Sequence, residues 1–297
     1  MENLENKVDY TGLNVKQDLN QHVLNEAGID LSPIDNMFAD QARINDEVDP
    51  EWKAKLLDWK TAILVEVAEG IDSTSWKWWK KGKNDWLNLA IEMIDAMFFI
   101  NAKVLETNTQ ESAKIFFMNY MINDKNNPIV KPELNQELAM KIKTELRDNF
   151  LRILSLDHYL ALIPIWFKVW NMMGHDTTHL FKLYKLKFVL NMFRQKYGYK
   201  EGTYIKIWHG IEDNKVAVEL ASEIEFDEKY EENLWNALED KYNTISKDVS
   251  DAKTIAKSYD EFLSKNAKYK MLNNAMSKEI QYLLKDFSEA YLEFNKQ

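Results

Sequence analysis

The chain has little material with which to turn corners. Eight glycines and five prolines are spread over 297 residues, and no Asn-Gly or Asp-Gly dipeptide is present to close a tight hairpin. Apolar residues instead recur at three- and four-residue intervals along most of the sequence, among abundant Leu, Lys, Glu, Ala, Met and Asn. The expected fold class is therefore all-α. Common nucleotide and acyl-transfer motifs fail as well. No two glycines stand two apart as G-x-G-x-x-G requires, no Gly-Lys-Ser/Thr closes a P-loop, and no G-x-S-x-G elbow exists.

Charge narrows the function classes. With 48 acidic against 38 basic residues the net charge is −10, which argues against a general nucleic-acid binder, since that needs a basic face to displace counterions. The absence of cysteine removes disulfide scaffolds, thiolate metal sites and thiol nucleophiles. The apolar runs at 63–67 and 97–100 are well short of the ~20 residues of a membrane span. Glu2 and Glu5 stand where a signal peptide would be basic and then apolar. A soluble, cytoplasmic protein with no membrane or nucleic-acid partner is expected.

Residues 1–36 read as a loosely packed N-terminal arm, interrupted by Gly12, Gly28 and Pro33. Helical periodicity sets in at Met37, and after Pro50 a second helix is expected from near Glu51 to Asp72. A loop rich in Trp and Lys over 76–86 leads to a third, from Leu87 to about Thr107. Pro164, within an apolar run over 159–169, should start or kink a helix. His175-Asp176-Thr177-Thr178 supplies the N-cap of the helix that follows. Gly198, Gly202 and Gly210 mark a loop. The reading is a catalytic domain over 37–246 and a C-terminal helical extension over 247–297. In that extension Tyr259, Phe262, Ile280, Leu283, Leu284, Phe287 and Tyr291 recur at helical spacing. It is expected to pack on the core or on a partner subunit and to contribute stability, not chemistry. The tryptophans read mostly as core.

Two stretches carry the chemistry. In 61–71 the only charges are Glu66 and Glu69, and in 89–100 the only charges are Glu92 and Asp95, each pair at i and i+3 and so on one helix face. The same spacing recurs at Glu2/Glu5 and Glu225/Glu228 in polar surroundings, so spacing alone says little. The apolar setting is what differs. Packed at ~8–10 Å between axes, two such helices bring four carboxylates together, and these repel and are costly to desolvate. A hard divalent cation such as Mg²⁺ relieves that repulsion. Acids that reach solvent along a groove are the other reading. A di-iron bundle is disfavoured because no His stands three residues after any Glu. His175 and His179, four apart, resemble half a zinc site but lack a general-base Glu and a third ligand.

Glu66-x-x-Glu69 and Glu92-x-x-Asp95 resemble the metal signature of the all-α, MazG-like nucleoside triphosphate pyrophosphatases. The run Glu66-Val-Ala-Glu69-Gly-Ile-Asp72-Ser73-x-x-Trp76-Lys77-x-Trp79-Lys80 is similar to the dimeric dUTPases within them. So is Lys187-x-x-Leu190-Asn191-x-Phe193-Arg194-Gln195-x-x-Gly198-Tyr199-Lys200, which continues to Trp208, Gly210 and Glu212-Asp213-Asn214. The resemblance covers about 37–246 and implies a MazG-like helical bundle, extended here by C-terminal helices.

It also implies roles. Glu66, Glu69, Glu92 and Asp95 would ligate Mg²⁺, two or more ions per site, and Glu66 or Glu69 would accept the proton of the attacking water. Gln41 and Asn45, four apart, would read the uracil edge, with Gln17 and Gln21 as a rival register. Lys77, Lys80, Lys187, Arg194 and Lys200 would meet phosphate, and Asn191 and Tyr199 sugar or phosphate. Trp59 and Phe98 complete the substrate-binding set, although Trp78 and Phe98 stand where the family usually has His. The implied function is Mg²⁺-dependent hydrolysis of dUTP and dUDP to dUMP by a homodimer. A pyrophosphatase with broader nucleotide choice is the nearest alternative, and a non-catalytic helical scaffold the more distant one.

Overall fold

The computed structural model describes residues 29–265. The rival pair Gln17/Gln21, most of the N-terminal arm and the apolar positions from Ile280 to Tyr291 lie outside the described residues, as do the side chains of Tyr259 and Phe262. The elements in order are α1 (Ser32–Val48), α2 (Trp59–Asp72), α3 (Trp86–Glu106), α4 (Gln110–Asn126) and α5 (Gln136–Glu145). One π-helical turn (Leu146–Phe150) then leads into α6 (Leu151–Ser155). After it come α7 (Tyr159–Met172), α8 (Thr177–Lys196), the strands β1 (Ile207–Trp208) and β2 (Ile211–Glu212), α9 (Asp213–Ser222) and α10 (Tyr230–Lys265). The fold is all-α apart from that short antiparallel ribbon.

Helix starts follow local capping chemistry. Asp30 accepts from the backbone N and Oγ of Ser32, so α1 begins before Met37, and Pro33 sits in its first turn, where a missing N–H costs nothing. The helix expected from Glu51 begins only at Trp59. There the Asp58 carboxylate accepts from Thr61 N at 3.0 Å and Thr61 Oγ1 at 2.6 Å, a cap that Glu51 does not provide. Asp85 caps α3 through Asn88 N, and Asp176 caps α8 through His179 N. Pro164 neither starts nor ends α7, which runs through it.

The described residues divide into two compact units, one of residues 29–39 and 58–181, the other of residues 40–57 and 182–265. In the first unit α3 is buried on almost every side from Leu89 to Val104, with α2, α4 and α7 packed on it. Trp166 of α7 donates its indole N–H to the Met93 carbonyl at 2.6 Å and stacks on Trp170. The outer face of α2 is less buried than its apolar sequence implies, because Leu64 and Val65 reach solvent.

In the second unit α9, α10 and the ribbon enclose an aromatic cluster of Phe193, Tyr204, Trp208 and Tyr242. The ribbon turns on His209 (φ 48°) and Gly210 (φ 86°), two consecutive left-handed residues as a two-residue hairpin requires. Gly198 is needed for a second reason. Besides its φ of +86°, a β-carbon there would lie 2.1 Å from Thr203 Oγ1.

Candidate functional site

Ile63, Val67 and Gly70 form the buried face of α2. A β-carbon on Gly70 would meet Leu89 Cδ1 at 3.4 Å and Glu92 Cβ at 3.5 Å, so the bare glycine backbone seats directly on the start of α3. That close packing draws the acids together. Carboxylate oxygens of Glu66, Glu69 and Glu92 all lie within 4.8 Å of one another. Asp95 falls outside this close group, yet its charge acts on Glu66. Glu92 is buried, Glu66 and Asp95 are half-buried and Glu69 is exposed. Burial pushes the Glu66 carboxyl up. The charges of Asp95, Glu92 and Glu69, and a hydrogen bond shared with Glu92, push it the same way, to about 8. Three converging carboxylates, partly desolvated and mutually repelling, form an all-oxygen donor set that fits a hard divalent cation.

Between α2 and α3 the loop is closed at its base. Asp85 N donates to the Ser73 carbonyl, Asn88 Nδ2 to Ser73 Oγ, and Ser75 N to Asn84 Oδ1. Lys77 pairs with Asp72, and Lys80 is exposed. The reading of the tryptophans as core fails here: Trp78 is 89% exposed and Trp79 58%. The two rings meet edge-on at 5.5 Å, and Trp79 meets Trp76 in the same way, so the indoles pack on one another among solvated lysines. Trp59 is buried and donates its indole N–H to Glu106 at 2.8 Å, beside Phe99. Phe98 is also buried.

The second unit holds the other residues singled out in the sequence. Gln41 and Asn45 are side by side and buried, and Gln41 Nε2 donates to Asn45 Oδ1 at 2.8 Å. Lys187, fully buried, donates to Asn214 Oδ1 at 2.7 Å. Arg194 forks onto Asp213 with two bonds of 2.8 Å and also reaches Asn191 and Asn214. Tyr204 donates its hydroxyl to the same Asp213. Burial would raise the Asp213 carboxyl, but the Arg194 fork, Tyr204 and Lys187 outweigh it and hold it below the usual carboxylate range. Tyr199 is exposed, with the Arg194 guanidinium over its ring at 5.6 Å, and Lys200 donates to the Val48 carbonyl. Sequence reasoning assigned no role to Asp213 and Asn214, although both stand in the motif that carries the resemblance. It also missed Tyr184, whose one signal was its place a helical turn before Lys187.

His175 and His179 stack on each other at 4.2 Å and lie against Trp170. Burial first, and then His179, lower the His175 imidazole to about 4. His175 is therefore neutral in the fold at pH values where the unfolded chain takes up a proton, so stability is retained above about pH 6.5 and lost as pH falls towards 4. In His175→Phe the dependence of Tm on pH over that window should be shallower than in the parent chain, by calorimetry. Parallel curves for the two proteins would refute this.

Within an all-α fold, two packed helices thus present converging acidic residues at i, i+3 spacing, an arrangement that fits a divalent cation. A family model described as dUTPase matches residues 33–199. The chain belongs to this all-α, MazG-like dUTPase family, and its activity is hydrolysis of dUTP as a dUTP diphosphatase. The match takes in all four acids, the amide pair, Lys187, Asn191, Arg194 and Tyr199, and stops one residue short of Lys200. No curated protein matches the chain.

Proposed function

We propose that the enzyme converts dUTP, and also dUDP, to dUMP with Mg²⁺ as its cation, acting as a cytoplasmic homodimer. The observation that carries this reading is the convergence of the Glu66, Glu69 and Glu92 oxygens within 4.8 Å. Bound by these three and Asp95, Mg²⁺ would supply positive charge for the phosphate chain and a lowered pKa for water. The half-buried Glu66 carboxylate is the base that takes the proton of the attacking water, and exposed Glu69 is its nearest rival.

In the second unit, the Gln41–Asn45 pair reads the base. Lys187, Asn191, Arg194, Tyr199 and Lys200 serve the sugar and phosphates, and the Asp213 fork holds the Arg194 guanidinium in a fixed plane. Lys77 and Lys80 add positive charge that draws a polyanion towards an otherwise acidic protein. Trp59 and Phe98, both buried, complete the substrate-binding set that the resemblance implies.

Dimerisation is supported by Leu64 and Val65, apolar side chains left in solvent on α2. A monomeric mass by light scattering at micromolar concentration would remove that part of the proposal. The chemistry is tested by anion-exchange analysis of dUTP and dUDP digests with Mg²⁺ and with chelator. Formation of dUMP from both substrates, only with the cation, is expected. Undiminished turnover in chelator would overturn the metal assignment, and intact dUDP would restrict the substrate to the triphosphate.

A further inference from the structure

We infer that Tyr184 is the positioning residue that sets the hydrogen-bond polarity of the Gln41–Asn45 pair, so that Asn45 offers a donor to O4 of uracil and rejects cytosine. The inference rests on the proposed reading of these two amides as the base-recognition pair.

The two ends of an amide are nearly equal in size and opposite in hydrogen bonding, so an Asn or Gln selects a ligand only if something fixes which end faces it. Gln41 and Asn45 are one helical turn apart on α1 and lie side by side. Tyr184, on α8 and 1% exposed, donates its hydroxyl to Gln41 Oε1 at 2.6 Å. With its oxygen committed, Gln41 turns Nε2 to its neighbour and donates to Asn45 Oδ1 at 2.8 Å. The relay thus runs in one direction, from the phenol through Gln41 to Asn45. It ends at Asn45 Nδ2, a nitrogen shielded from solvent that has no hydrogen-bond partner among the described residues.

Native proteins keep few such orphans. The complement of this one is an acceptor. At position 4 uracil carries a carbonyl, which accepts, whereas cytosine carries an amino group, which would set donor against donor. The position 2 carbonyl is common to both bases and carries no choice. Thymine presents the same O4 as uracil, so the relay has no purchase on it.

Tyr184→Phe removes the one proton that starts the relay, and both orientations of Gln41 become available. The expected result is a fall of about tenfold or more in the dUTP/dCTP ratio of kcat/KM, with the dUTP/dTTP ratio unchanged. A loss of packing alone would lower all three nucleotides together. Gln41→Glu provides an independent test. A carboxylate only accepts, so Asn45 must give it Nδ2 and turn Oδ1 outward, and the ratio should move towards dCTP. Calorimetric binding of dUMP and dCMP to the same proteins reads the preference without turnover.

A folded Tyr184→Phe enzyme that hydrolyses dUTP with the parent dUTP/dCTP ratio overturns the role of Tyr184 and leaves the activity standing. If Tyr184→Phe does not fold, Gln41→Glu decides, and an unmoved ratio overturns the inference. Parent protein that turns over no dUTP with Mg²⁺ overturns the proposed function itself, which is a separate outcome.

Discussion

Glu92→Gln should lose most dUTP turnover, on the order of 10²-fold or more, and so should Glu66→Gln, Glu69→Gln and Asp95→Asn. Each amide keeps the shape of its side chain and removes one negative charge from a cluster whose function is to hold positive charge. The same changes should leave the fold intact. In metal-free protein Glu66→Gln should even raise Tm, because burial and three neighbouring acids disfavour the charged form of Glu66. Its folded-state pKa of about 8 lies above the unfolded value of 4.5, so the folded chain binds the extra proton across that window. The contribution of this group to stability is thus full below about pH 4.5 and is lost as pH rises through about 8, and Glu66→Gln removes that slope. Steady-state kinetics and chelated melting curves check the two halves separately. Parent-like turnover in two of the four variants would defeat the assignment.

The largest loss of stability is expected at Asp213. It is fully buried, accepts both bonds of the Arg194 fork and the Tyr204 hydroxyl, and lies near Lys187. Asp213→Ala leaves a buried guanidinium without its carboxylate, a change that costs about 3–5 kcal/mol in comparable cases. Urea titration should show the unfolding free energy falling by that amount, while Asp213→Ala combined with Arg194→Met recovers part of it because the stranded charge is gone. A loss below about 1 kcal/mol in the single variant would mean that the network is incidental to the fold, since that is the scale of one ordinary hydrogen bond.

The acids and one cap, Asp176, were legible in the sequence because each depends on neighbours within one helical turn. Glu66 and Glu69 share a face by spacing alone, and the glycine next to Glu69 allows the close seating on Glu92. Asp176 was readable as a cap for the same reason. The start of α2 was not, because apolar periodicity runs on through 51–57 and only the Asp58–Thr61 bonds mark the boundary. Tyr184 lies 143 residues from Gln41, and no local pattern links a phenol to an amide over that distance. The hairpin escaped because its turn is built on His209-Gly210, outside the usual dipeptides. The exposed pair Trp78 and Trp79 shows that large apolar side chains flanked by lysines need not be drawn inward.

That pair gives the molecule an optical property. Trp52, Trp166, Trp170 and Trp208 are sealed from solvent, so a collisional quencher in the buffer will not reach them. Trp78 and Trp79 stand in water beside Lys77 and Lys80, where an anionic quencher such as iodide is concentrated. The most exposed indoles therefore sit in a single loop, the one that joins the two acid-bearing helices, with half-buried Trp76, Trp86 and Trp235 next in reach of a quencher. Whatever touches that loop changes the light the protein emits, and no label is needed to see it.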